Sequence, residues 1–263
     1  MSTLSETTGL AVHERGPADG PRAVLIHSTG TSGADLLDRF GLAVPGFHVL
    51  APDRTNYGTS RRAELALVAD DAEDVATLLG DGAHLFGYSY GAVVALKLAA
   101  THPTLVRSLT LLEAPAFQLL PDDPAVTATL ARIRGGIDGR SEDAGDYFAA
   151  FMSSAFGDTF RVPLDLVPVE RKAAAMREQR LWEADLDLAP LVAAAVPTLV
   201  ICGDWDPGFT AVSEHLAAVL RGHLLRLDGA THFFDGRWPA IRDELEAFWR
   251  SPTTTDATGG TGR

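Results

Sequence analysis

Gly87-Tyr88-Ser89-Tyr90-Gly91 has the form G-x-S-x-G. It lies between a short apolar run at 84–86 and a strongly apolar stretch at 91–100, so the serine sits at a sharp strand-to-helix turn. Such a turn forces the serine into an uncomfortable backbone geometry and lifts its hydroxyl into the open. It also tolerates no Cβ at 87 and 91, where a neighbouring helix and strand pass close. A serine hydroxyl is a poor nucleophile near neutral pH. It needs a base to take its proton and a carboxylate to hold the base's tautomer and stabilise its charge. Downstream the chain offers Gly203-Asp204-Trp205-Asp206-Pro207 after the apolar run 198–202, and Gly229-Ala230-Thr231-His232 after the run 223–227. His232 is the candidate base, and Asp204 and Asp206 are both candidates for the acid. His13, His48, His84, His102, His215 and His223 fall in strand- or helix-like segments without a matching nucleophile.

Acyl chemistry at Ser89 would build an oxyanion that two preorganised backbone N–H groups must hold. The residue after the nucleophile, Tyr90, supplies one. The other should come from a Gly-rich loop, His27-Ser28-Thr29-Gly30, with His27 bracing the loop rather than acting as a base. The segment 24–33 is no phosphate cradle: it lacks G-x-G-x-x-G, and G-x-x-x-x-G-K-[ST] occurs nowhere in the chain. Glu113 ends an apolar run beside the expected active-site edge. A buried carboxyl there would have a raised pKa and could position substrate. The reading adopted is the plainer one, a structural hydrogen bond to the connection that follows.

Short Val-, Leu- and Ile-rich runs at 23–27, 48–51, 84–86, 108–112, 198–202 and 223–227 predict strands. Several are continuous rather than alternating, as strands buried on both faces are, and most are separated by enough chain for a crossover helix. The fold class is therefore α/β, with a mostly parallel central sheet flanked by helices. Val68, Ala72, Val75 and Leu79 line one helical face, and Ile241, Leu245, Phe248 and Trp249 line another, with Pro239 suited to a first helical turn. The stretch 91–100 is apolar nearly all round except for Lys97, which predicts a buried helix.

Roughly eighty residues separate Glu113 from Thr198, far more than the ~12–15 of an unstructured loop. They predict an inserted module of short helices closing over the end of the sheet. Its aromatics are Phe117, Tyr147, Phe148, Phe151, Phe156, Phe160 and Trp182, and residues 134–139 read as a flexible patch. The expected division is a core of residues 1–114 and 197–250, a helical lid at 115–196, and a disordered Thr/Gly-rich tail at 251–263.

These features together resemble the α/β-hydrolase fold, over about residues 24–249. The resemblance rests on the nucleophile elbow at Ser89, on Ala51-Pro52-Asp53-Arg54 through Tyr57-Gly58-Thr59-Ser60, and on His102-Pro103 leading into the run that ends at Leu112. It implies the chain order serine, acid, histidine. Its acid commonly stands three residues after a glycine, which selects Asp206 over Asp204, and its histidine closes a G-x-x-H, which selects His232. It also implies Thr29 as the second oxyanion donor, although the family usually has His-Gly where this chain has His27-Ser28.

The activity implied is a lidded serine hydrolase acting on an ester, lactone or thioester through an acyl-enzyme, with no metal or organic cofactor. Its partner is a small-molecule substrate with an apolar part, and the pocket residues expected are His27, Ser28, Tyr88, Glu113 and Trp182. The alternatives are C–C bond hydrolysis, acyl transfer, cyclisation or perhydrolysis on the same triad, or a binding protein without turnover. With 22 Lys+Arg against 35 Asp+Glu, the formal charge of -13 disfavours nucleic acid and anionic membranes as partners. The single cysteine, Cys202, excludes an intramolecular disulfide. The start of the chain has neither the basic nor the apolar region of a secretory signal, so a cytoplasmic location is expected.

Overall fold

The computed structural model describes residues 2–4, 9–55, 57–58, 60, 65–138, 142–157 and 169–251. Among these residues eight strands form one sheet: β1 (Ser2–Leu4), β2 (Ala11–Arg15), β3 (Arg22–Ile26), β4 (His48–Pro52), β5 (Ala83–Tyr88), β6 (Val106–Leu112), β7 (Thr198–Cys202) and β8 (His223–Arg226). Their spatial order is β1-β2-β4-β3-β5-β6-β7-β8. Among the described residues, only β1 against β2 and β2 against β4 run antiparallel. From β4 through β8 every pairing is parallel. The six predicted strands are present. The two that the sequence reading missed, β1 and β2, form one edge, where a short half-polar strand such as Ala-Val-His-Glu-Arg leaves little apolar periodicity to detect.

The continuous apolar strands are buried on both faces. Val24, Ile26, Leu85, Leu109, Leu111 and Val200 pack against α1 (Val68–Ala76), α2 (Tyr90–Thr101) and α7 (Pro207–Val219). The alternate residues Ala23, Leu25, Phe86, Leu112, Leu199 and Ile201 face a second cluster with α8 (Trp238–Arg250) and the chain around the π-helical turn Asp35–Arg39. On α8 the predicted stripe is buried, and each such large apolar side chain contributes about 2 kcal/mol. In α2 every residue from Ala92 to Leu96 is fully buried, and Lys97 reaches out to Asp185 at 3.6 Å.

The segment between β6 and β7 carries α3 (Pro124–Ile137), α4 (Ala144–Phe156), α5 (Val169–Glu178) and α6 (Ala189–Ala194). Residues 134–137, expected to be flexible, instead complete α3. Gly136 is needed there because a Cβ would stand 2.2 Å from the Cβ of Ser154, where α3 and α4 cross. Phe160 and the tail after Ser251 lie outside the described residues.

His84 shows how the sheet face is sealed. It is buried, its Nδ1 is 2.8 Å from the Ser108 hydroxyl, and its ring stacks on Trp249. Burial, with added repulsion from Arg107, pushes its pKa down to about 4. An unfolded histidine titrates near 6.5, so from about pH 6.5 down to 4 the unfolded chain binds a proton that the folded chain does not. The stability from neutral His84 is present above that window and lost as pH falls through it. The unfolding free energy obtained from urea titrations should therefore fall between pH 7 and 4.5 more steeply in the wild type than in His84→Gln, by on the order of 1–2 kcal/mol. Parallel profiles would show that the buried imidazole does not carry this pH dependence.

Candidate active site

Ser89 is the residue between β5 and α2, with φ 54° and ψ -116°, a conformation that only strong surrounding constraint maintains in a non-glycine residue. The constraint is visible in its neighbours. A Cβ on Gly87 would lie 2.3 Å from the Gly91 carbonyl oxygen, and one on Gly91 would lie 2.2 Å from that of Ile26. The Ser89 N–H donates to the carbonyl of Leu112 on β6 (2.8 Å), fastening the elbow to the next strand.

The Ser89 hydroxyl is 3.0 Å from Nε2 of His232. The other ring nitrogen, Nδ1, is 3.1 Å from Oε2 of Glu113. Glu113 follows β6 directly, is fully buried, and itself has a positive φ of 51°. Its carboxylate also accepts from the Gly203 N–H at Oε1 (2.7 Å) and from the Trp205 indole N–H at Oε2 (3.0 Å). A fully desolvated carboxylate persists only when donors surround it, and this one has three. The serine, the histidine and a carboxylate thus stand in hydrogen-bonded series, and the carboxylate comes from β6.

This corrects the sequence expectation for the acid. Asp206 does not face His232. It caps α7, its Oδ1 accepting from the N–H groups of Gly208 (2.9 Å) and Phe209 (3.1 Å) and from the Thr129 hydroxyl (2.8 Å), while its Oδ2 pairs with Arg132 at 2.5 Å. Asp204 accepts from the Gly229 N–H (2.9 Å), holding the loop after β7 to the loop that carries His232. The physical reason is local. Pro207 opens α7, and a carboxylate immediately before a helix's first turn satisfies that turn's orphan N–H groups. The same loop spends its own N–H groups on Glu113. Glu113 was read as a structural hydrogen-bonding residue. The signal for its position was a carboxylate at the carboxyl end of a central strand, beside the serine's strand.

His232 is enclosed by aromatics. The Phe156 ring stacks on it at 4.3 Å and 18°, and Phe209, Trp205, Phe233 and Tyr88 have centroids 5.2–5.7 Å away. The Tyr88 hydroxyl donates to the His232 carbonyl (2.7 Å), and burial holds the phenol far above its ordinary pKa, so it remains a donor.

The loop after β3 is braced from below. The Arg54 backbone N–H donates to Nε2 of His27 (2.9 Å), which leaves Nδ1 to donate to the Ser28 carbonyl (2.9 Å). Both ring nitrogens are committed, so His27 braces and is no base. The Arg54 side chain donates to the carbonyls of His27 and Ser28 (both 3.2 Å) and pairs with buried Asp71 at 2.7 Å. Its guanidinium also lies 4.2 Å from the centre of the Tyr90 ring and 4.4 Å from that of Tyr57. Burial pushes the Asp71 pKa up to about 6 against the pull of Arg54. The Tyr57 hydroxyl donates to the Thr29 carbonyl (3.0 Å). Tyr90 opens α2, whose first-turn N–H groups have no intrahelical acceptor.

Above Ser89 lies a cavity of about 220 Å³. Of the expected pocket residues, Ser28, Tyr88 and Trp182 line it, whereas His27 and Glu113 do not; Thr29, expected as an oxyanion donor, lines it too. The segment between β6 and β7 contributes an apolar wall that includes Phe117, Ile133, Phe151, Met152 and Phe156. Arg39 and Asp235 are its charged lining residues.

Among known proteins, the chain is 32% identical over 133 residues to Lipase LipV of Mycobacterium tuberculosis, a match covering 49% of this chain and 47% of the lipase. The aligned stretch thus spans about half the length of that relative. A longer match, 27% identical and covering 90% of this chain and 92% of the other, is to Epoxide hydrolase A of the same organism. Among solved structures, a hydrolase from Pseudomonas aeruginosa PA01 superposes with a TM-score of 0.64 at 25% identity, covering 95% of this chain and 97% of the other. The model of the Alpha/beta hydrolase family matches residues 23–246, from the start of β3 well into α8 and across every element that carries the site. The chain therefore belongs to the alpha/beta hydrolase family.

Proposed function

We propose that the protein is a serine hydrolase cleaving a carboxylic ester, lactone or thioester of a small, partly apolar substrate through an acyl-enzyme on Ser89. The observation that carries this reading is the unbroken series from the Glu113 carboxylate through His232 to the Ser89 hydroxyl, with both contacts at 3.0–3.1 Å. Glu113 at Nδ1 selects the tautomer in which Nε2 is the free base.

Ser89 Oγ attacks the acyl carbon as its proton passes to Nε2. The N–H groups of Tyr90 and Thr29 receive the oxyanion. His232 then returns the proton to the leaving alcohol, phenol or thiol, or to the substrate's own ring oxygen when a lactone opens. A water follows the same route in reverse and frees the acid. Glu113 stabilises the imidazolium in each half-reaction without taking the proton itself. The apolar wall over Ser89 suits the substrate's acyl or ring part, and the lipase and esterase names among the chain's relatives accord with ester cleavage.

Two experiments test this reading. A fluorophosphonate probe should label the wild type at Ser89 on peptide mapping and leave folded Ser89→Ala unlabelled. An unlabelled wild type would mean that the hydroxyl is not activated. For the acid, Glu113→Gln should lower kcat on p-nitrophenyl acetate by about 10²–10⁴-fold, and His232→Ala by at least ~10³-fold. Asp206→Asn should stay within about threefold of wild type. A large loss in Asp206→Asn with Glu113→Gln near wild type, both variants keeping melting temperatures close to wild type, would return the acid's role to Asp206.

A further inference from the structure

The loop after β7 holds a carboxylate that the Ser89–His232–Glu113 series does not use. Asp206 is nearly buried, yet both of its oxygens reach beyond its own loop. Oδ1 accepts from Thr129 on α3, and Oδ2 pairs with Arg132 one turn further along the same helix. Arg132 then reaches α4, its Nη1 donating to the backbone carbonyls of Ser154 and, at 2.8 Å, Ala155. These are carbonyls of the last turn of α4, which lack intrahelical partners and suit a cation. The next residue is Phe156, whose ring lies on the face of His232. A single guanidinium therefore joins a core carboxylate to the end of the helix that roofs the catalytic histidine.

The surrounding glycines are consistent with a built contact. Gly208 lets α7 approach α3, since a Cβ there would lie 2.5 Å from the Thr129 hydroxyl, and Gly136 brings α3 against Ser154 of α4. The Arg132 side chain is 41% exposed, so the pair sits where water can enter and compete for it. That suits a contact that opens and closes better than one sealed in the core.

We propose that Asp206 and Arg132 form a latch that holds α3 and α4 closed over Ser89 and keeps Phe156 on His232, so that this ion pair sets how readily substrate enters and product leaves. Asp206 and Arg132 are positioning residues in this scheme: neither touches the reacting atoms. The kinetic half rests on the serine hydrolase reading above; the latch itself does not.

Hydrogen–deuterium exchange read by mass spectrometry tests the latch independently of activity, on wild type, Arg132→Met and Arg132→Lys. Arg132→Met should speed exchange across residues 144–156 by about tenfold or more, leave β5, β6 and α2 unchanged, and be largely reversed in Arg132→Lys. Unchanged exchange in α4, or a uniform rise across the whole chain, would overturn the latch. On p-nitrophenyl octanoate, Arg132→Met should raise KM about tenfold while kcat changes less than threefold, and labelling of Ser89 by a bulky fluorophosphonate should become faster. A loss confined to kcat would overturn the role in access. A wild type that no fluorophosphonate labels would refute the hydrolase reading and leave the exchange result to decide the latch.

Discussion

A fully buried carboxylate, that of Glu113, is the constraint around which the functional end of the sheet is arranged. Burying an isolated carboxylate costs several kcal/mol, and the cost is offset only by donors held in place. The donors come from two other segments: Gly203 and Trp205 in the loop after β7, and His232 in the loop after β8. The loops after three adjacent strands are thereby made to converge on one residue. The two carboxylates of the β7 loop then fall to other duties, Asp204 tying this loop to the next and Asp206 capping α7 and binding α3.

The second expense is backbone strain. Ser89 and Glu113 both hold positive φ, as does Phe234 just beyond His232. Each such residue costs on the order of 1–3 kcal/mol, and each lies within two residues of, or at, the hydrogen-bonded series. The sheet absorbs this through pairing on both sides of β5 and β6 and through α2, whose apolar faces are almost wholly buried. A rigid scaffold allows the strained residues to keep a single geometry, with Nε2 of His232 3.0 Å from the Ser89 hydroxyl.

The sequence made some of this legible for physical reasons and hid the rest for others. The elbow could be read because its glycines answer to backbone collisions that any residue larger than glycine would suffer, and those collisions appear at Gly87 and Gly91. His232 could be picked out as the histidine beside Ser89 because the loop after β8 ends next to the elbow. The mostly parallel sheet could be read from runs without alternation, because both faces are covered. The carboxylate that meets His232 could not be read by spacing. Asp206 lies where a capping residue and a catalytic carboxylate have the same sequence signature, an aspartate before a proline-opened helix. The choice between those roles depends on which loop supplies donors to which oxygen, a tertiary fact. Residues 134–137 misled for a similar reason: paired glycines signal flexibility in isolation, yet Gly136 marks a close helix crossing.

The side-chain length of Glu113 follows from where it stands. β6 lies next to the serine's strand, with β7 between it and β8, whose following loop supplies the histidine. A carboxylate rooted at the end of β6 must cross toward His232 while still meeting Gly203 and Trp205. Glutamate has the extra methylene for that span, and the left-handed backbone at position 113 turns the side chain out of the strand's alternation. An acid on the β7 loop starts one strand nearer to the histidine's loop, where the shorter aspartate would suffice. The position after β6, the length of glutamate and the left-handed conformation at 113 together bring one carboxylate to Gly203, Trp205 and His232. The consequence is an aspartate at 206 free to bind the helices that cover the site.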